Sequence, residues 1–159
     1  GWGTWPDPRD AAGAPPPPHL LTLLLDTSVW AWAERHADVH DQVGDLVEAG
    51  RVATCVPVML EVLYSARSPT DYDVRRRQFG RLWQCPINQP EWDRALQVYD
   101  ALAAQGALHQ RQVSHADLLI AAAAESAGIP VLHYDEDYDR IEAVTGQPMQ
   151  WIRPRGSLE

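Results

Sequence analysis

Lysine is missing from this chain: all thirteen basic residues are arginine. That removes readings in which a lysine ammonium neutralises a bound phosphate. Cysteine is scarce, with Cys55 and Cys85 each in a short apolar stretch and neither in a CxxC or Cys/His spacing that would suggest zinc. The two could pair, but lone cysteines in an intracellular chain usually behave as small buried hydrophobes. No apolar run approaches the ~20 residues that span a bilayer. No basic-then-apolar secretory start is present, so the expected compartment is the cytoplasm. Positive charge is outnumbered, 13 basic residues against 22 acidic, for a net charge of −9. This balance argues against broad, non-specific nucleic-acid binding. Acids gathered in one pocket would nevertheless leave the outer surface less acidic than the total implies.

What is present fits one ordinary globular domain: 159 residues, 45% hydrophobic and 22% charged. Residues 1–19 form a Pro/Gly/Ala-rich leader ending in Pro15–Pro18, expected to be disordered or docked. Its Trp2 and Trp5 are unusual for disorder and point to docking. Residues 20–155 read as the domain and 156–159 as a tail. Leu20–Leu25 is an apolar run without alternation, the mark of a strand buried on both faces. Helices are expected over 28–35, 40–49, 57–67, 70–83, 90–105, 114–127 and 138–145, with strands at 51–56, 83–87, 129–134 and 149–152. Strands separated by helices imply a three-layer α/β/α fold with a mainly parallel sheet.

In such a sheet ligands bind beyond the carboxyl ends of the strands. Asp26 ends the first strand, and Asp135, in "VLHYDEDYD", lies just past a later one. Either could instead cap a helix or close a turn. Glu61 lies on "PVMLEVLYSAR", where only Glu61 and Ser65 break an apolar girdle. A helix apolar nearly all round is expected to be buried, and a buried carboxylate needs a partner, a proton or a metal. A salt bridge to arginine is the plainer alternative. Asp117 opens "ADLLIAAAAESAG" with capping-box spacing from Ser114. A carboxylate in a helix's first turn is rigid and favoured as an anion. Asp137 is a possible fifth acid. Convergent carboxylates without His or Cys are hard ligands that suit Mg²⁺ or Mn²⁺ and phosphodiester hydrolysis. Unrelieved, such charges repel by several kcal/mol at separations of ~4 Å in an intermediate dielectric.

"LLLDTSVW", "VPVMLEVLYSAR" and "SHADLLIAAAAESAGIPVLHYDEDYDRI" together resemble the successive blocks of PIN-domain ribonucleases, most closely the VapC-type toxins of bacterial toxin–antitoxin pairs. The resemblance covers residues 20 to about 153 and excludes the leader. It implies a PIN-like fold and a metal-dependent endoribonuclease using Mg²⁺ or Mn²⁺. By position, Asp26, Glu61, Asp117 and Asp135 match the family's acidic quartet, with Thr27, Ser28, Ser114 and Asp137 in supporting places. It further implies a small VapB-like antitoxin whose tail blocks the acidic pocket, and a homodimer. The alternative is a PIN-like module that binds RNA or protein without cutting it.

"DVRRRQFGR" places Arg75, Arg76, Arg77 and Arg81 on one helix, a local basic patch that could hold RNA phosphates or simply form a solvated face. His133, two residues before Asp135, reads as a packed strand histidine. Haloacid-type phosphatases and response-regulator receivers also place an Asp after the first strand. The phosphatases want a second Asp where Ser28 stands, and both use a lysine that this chain lacks.

Overall fold

The computed structural model describes residues 2, 5, 6 and 21–159. The disorder expected of the leader falls on residues that, these three apart, lie outside the described set. Among the described residues five short strands form one sheet: β1 (Leu23–Leu25), β2 (Val52–Thr54), β3 (Trp83–Gln84), β4 (Val131–His133) and β5 (Met149–Trp151). Every pairing is parallel, in the order β3-β2-β1-β4-β5. β1 is central because its three leucines, buried on both faces, suit a strand paired on both edges. Leu24 is in register with Ala53 on one side and Val131 on the other.

The connections α1 (Thr27–Ala33), α2 (Ala37–Glu48), α3 (Val56–Tyr64) and α4 (Pro69–Gly80) carry the chain outward through β2 to β3. α5 (Gln89–Ala104) and α6 (His115–Ala127) return it across the sheet to β4, and α7 (Asp137–Thr145) leads to β5. Right-handed crossovers taken in opposite directions put the first four helices on one face and the last three on the other. Helix contacts within each group agree, with α1 on α2 and α3 on one side, and α5, α6 and α7 against each other on the other, while α3 also meets α6 between the two groups. Strand order therefore reverses between β1 and β4, which opens a crevice at their carboxyl ends. No helix among the described residues is long and apolar enough to cross a membrane.

The elements follow local chemistry. Ser68 caps α4 by accepting from the Asp71 N–H at 3.0 Å. Gly128 ends α6 with φ +72, the left-handed conformation that a C-terminal cap requires. Two expectations fail. α3 is not buried all round: Val58, Met59 and Val62 face the core, but Val56, Leu60 and Tyr64 lie exposed. Its neighbours α1, α4 and α6 cover one side only. It also stops at Tyr64 rather than near 67, where the Ser65 hydroxyl turns back to donate to the Val62 carbonyl at 2.8 Å. The second failure concerns α4, whose basic face is not continuous. Arg75 is 2% exposed and points inward, and its guanidinium donates to the Val62 carbonyl and the Ser65 hydroxyl and pairs with Asp71 and Glu34. Adjacent positions on a helix are about 100° apart, so a run of arginines cannot share one face.

Candidate active site

The crevice at the reversal of strand order collects the acids. Asp26 follows β1 directly and is 3% exposed. Its Oδ2 caps α1, accepting from the Ser28 N–H at 3.0 Å and the Ser28 hydroxyl at 2.6 Å. The Ser28 Oγ in turn accepts from the Tyr134 N–H at 2.9 Å, tying the start of α1 to the end of β4. Capping and site membership therefore coexist in one carboxylate, because its other oxygen, Oδ1, faces Tyr138.

Asp117 sits in the first turn of α6, with its N–H on the Ser114 hydroxyl at 3.1 Å. Only this half of the capping box forms. The Ser114 N–H is directed instead to Asp137 Oδ2 at 3.5 Å, which leaves the Asp117 carboxylate for the crevice. Asp135 and Asp137 enter from the β4–α7 turn, where the Asp137 N–H donates to Asp135 Oδ1 at 2.9 Å. One carboxylate oxygen from each of Asp117, Asp135 and Asp137 lies within 4.8 Å of the other two. Oxygens on one hard cation, each at 2.0–2.6 Å from it, are spaced over that range. The donors are carboxylates alone, so the set fits Mg²⁺ or Mn²⁺ rather than zinc.

Asp26 and Glu61 flank this trio. Glu61 stands at the rim on α3, open to solvent on one side rather than enclosed in a buried helix. Its Oε1 accepts from the Thr27 hydroxyl at 3.1 Å, and no arginine pairs with it among the contacts described. Desolvation, then the charges of Asp26 and Asp135, hold its carboxyl above the ordinary range against the opposing Thr27 bond. Asp135 is raised in the same way, by burial first and then by Asp137 and Asp26. Asp117 is pushed up to about 9, by burial and then by Asp26. Arg140 pairs with Asp137 Oδ1 at 2.7 Å, but Glu61, Asp117 and Asp135 have no such partner among the described contacts, and their mutual elevation is the signature of crowded acids.

Tyr138 was not among the residues singled out from sequence. It is fully buried, and its hydroxyl donates to Asp26 Oδ1 at 2.6 Å and lies 3.2 Å from Asp117 Oδ1. A tyrosine inside an acidic stretch at a strand end was the one available signal. His133 is a buried strand histidine packed against Tyr138 and Trp151. Burial lowers it to about 4, so it is neutral, with Nδ1 accepting the Asp135 N–H at 3.2 Å. Cys55 and Cys85 are free, buried thiols pushed up by burial to about 12 and about 11, which makes them unreactive. Of the four arginines, Arg76, Arg77 and Arg81 are exposed and Arg75 is withdrawn from any ligand by its internal partners.

A family model for the PIN domain matches residues 23–144, a span that holds the whole acidic set. The chain belongs to the PIN-domain family. Ribonuclease VapC18 of Mycobacterium tuberculosis is 45% identical over 138 residues, 87% of this chain and 100% of that protein. Among solved structures, VapBC-5 from Mycobacterium tuberculosis, a member of the VapBC family of toxin–antitoxin systems, matches at 25% identity with a TM-score of 0.55. That match covers 84% of this chain and 99% of the other. DNA-bound VapBC from Salmonella typhimurium matches at 19% identity with a TM-score of 0.64, covering 83% and 98%, and speaks to the fold alone. In this PIN domain the acids thus stand where the reversal of strand order presents them.

Proposed function

We propose that the chain is a metal-dependent endoribonuclease and the toxin of a toxin–antitoxin pair. The observation that carries this reading is the carboxylate trio of Asp117, Asp135 and Asp137, flanked by Asp26 and Glu61, in which Arg140 pairs with Asp137 Oδ1 at 2.7 Å but no basic residue among the described contacts pairs with the other four. The name of a relative 45% identical, ribonuclease VapC18, supports the activity.

Asp117, Asp135 and Asp137 would hold Mg²⁺ or Mn²⁺, with Asp26 reaching it directly or through water. A cation so bound neutralises charge on the scissile phosphate and lowers the pKa of a coordinated water. Tyr138 fixes the Asp26 and Asp117 carboxylates relative to each other. Thr27 orients Glu61, whose raised pKa makes it the better base for taking a proton from the attacking water. In-line attack on phosphorus then breaks the P–O3′ bond and leaves a 5′-phosphate and a 3′-hydroxyl. Arg76 and Arg77 of α4, and Arg81 just after its end, are exposed and would meet RNA phosphates, whereas Arg75 is held internally by Asp71 and Glu34.

The partner is a VapB-like antitoxin that sends a basic side chain among these acids. The apolar faces left open on α3 (Leu60, Tyr64) and α5 (Trp92, Leu96) support a homodimer. The test is cleavage of end-labelled tRNA and rRNA fragments with Mg²⁺, Mn²⁺ or EDTA, comparing wild type with Asp26→Asn and Glu61→Gln. Metal-dependent cutting lost in both variants is the expected result. Cutting that survives Asp26→Asn would sink the scheme, and RNA bound but uncut by wild type would favour a binding module.

A further inference from the structure

Trp2 and Trp5 are each 6% exposed and lie in a groove between α1, α2 and α4. Trp2 stacks on Trp30 of α1 with ring centroids 5.7 Å apart and meets Phe79 of α4 at 5.6 Å. Trp5 meets Trp30 edge-on at 5.2 Å and stacks on His40 of α2 at 4.2 Å. The Trp2 indole N–H donates to the Gln78 side chain, and the buried Arg75 guanidinium sits 4.6 Å from a Trp2 ring centroid. Two tryptophans are therefore read by three helices through stacking, one hydrogen bond and one cation–π contact.

The rest of the fold does not call for them. The family model begins at residue 23, after both tryptophans. VapC18 is matched along its full length by 87% of this chain, so its PIN domain closes with fewer residues than this chain has. The fit is also incomplete: the indole N–H groups of Trp5 and of Trp30 beneath it are buried without partners among the described residues. Each such group carries a desolvation cost that opposes the aromatic contacts. Between the tryptophans and β1 the sequence is a Pro-rich spacer with four consecutive prolines. A tether of that length supplies an effective concentration of about a millimolar, enough to fill a site of only micromolar affinity.

We propose that the α1–α2–α4 groove is a peptide-binding site that reads two tryptophans three residues apart, and that Trp2 and Trp5 are its tethered, exchangeable ligand rather than part of the core. The class of ligand is a Trp-x-x-Trp peptide, supplied here in cis. Nothing in this proposal depends on the acids or on catalysis.

The test uses a fluorescein-labelled peptide of sequence GWGTWPDPRD, followed by anisotropy. Against the full chain carrying Trp2→Ala and Trp5→Ala, saturable binding is expected. Wild type should bind at least ten-fold more weakly, because its own segment competes, and a peptide with both tryptophans replaced by alanine should not bind. A folded double variant that ignores the peptide, or equal binding by variant and wild type, overturns the proposal. Should the double variant not fold, a second chain decides. A protease site replaces residues 11–14 and is cut after folding. Entry of the labelled peptide, with release of the cut segment on gel filtration, supports exchange. A cut segment that never leaves, or a domain that unfolds when it does, overturns it.

Discussion

Tyr138 offers one phenolic proton to two carboxylates, and the shorter contact, to Asp26 at 2.6 Å, takes it. Replacing it with phenylalanine keeps the ring against His133 but strands a buried oxygen of Asp26. The expected cost is about 1–3 kcal/mol of stability in a denaturant titration, together with weaker metal-dependent cleavage. Asp117→Asn should act the other way on stability. It keeps the shape and removes the cost of protonating that carboxyl on folding, which its burial beside Asp26 imposes at neutral pH. Thermal melts without metal should then show a higher Tm, by about 2–4 °C for each kcal/mol relieved in a domain of this size, while cleavage is lost. The acids at 26, 61, 117 and 135 could be read from the sequence because each interrupts an apolar pattern. Tyr138 could not, since the reach of a hydroxyl depends on which strand end its helix faces.

At the scale of elements, α4 shows where pattern reading fails. A run of three arginines looks like one basic surface. Helical rotation instead turns Arg75 under α3, where the Val62 and Ser65 oxygens and two carboxylates await it, and leaves Arg76 and Arg77 outside. Arg75→Met should destabilise the protein by roughly 1–3 kcal/mol, less than a fully buried pair because Glu34 and Asp71 remain partly hydrated. It should leave the salt dependence of RNA binding unchanged. Arg76→Ala and Arg77→Ala should do the reverse, melting like wild type while each lowers the log–log salt slope by about 0.7. α3 misled in the opposite sense. Its apolar girdle is real, but burial depends on how many neighbours a helix has, and no period within the helix reports that.

For the whole molecule, alternating strands and helices were enough to reach a parallel three-layer fold, but strand order was not legible, because sequence does not say which side of β1 each later strand takes. That order puts Asp117 and Asp135 beside Asp26 and makes the protein's stability depend on pH. Between roughly pH 4 and pH 9 the folded state keeps a proton on Asp117 that the unfolded chain has lost. Stability of the metal-free protein should therefore fall as pH rises through that window, with Glu61 and Asp135 adding in the same direction. Melting curves in EDTA between about pH 5 and pH 8 should show the decline, and added Mg²⁺ should flatten it. A flat profile in EDTA would mean that the acids do not share one field.

The same strand order has a consequence in time. Translation delivers β1 before the other strands described, but it gains its second neighbour, β4, only after α6 has been made. Asp26 likewise meets Tyr138 across 112 residues of chain. A ribosome that has not yet reached α6 therefore holds a chain with Asp26 and Glu61 made and Asp117, Asp135 and Asp137 still to come. The crevice cannot be complete until α6 and the β4–α7 turn have been made and brought against β1.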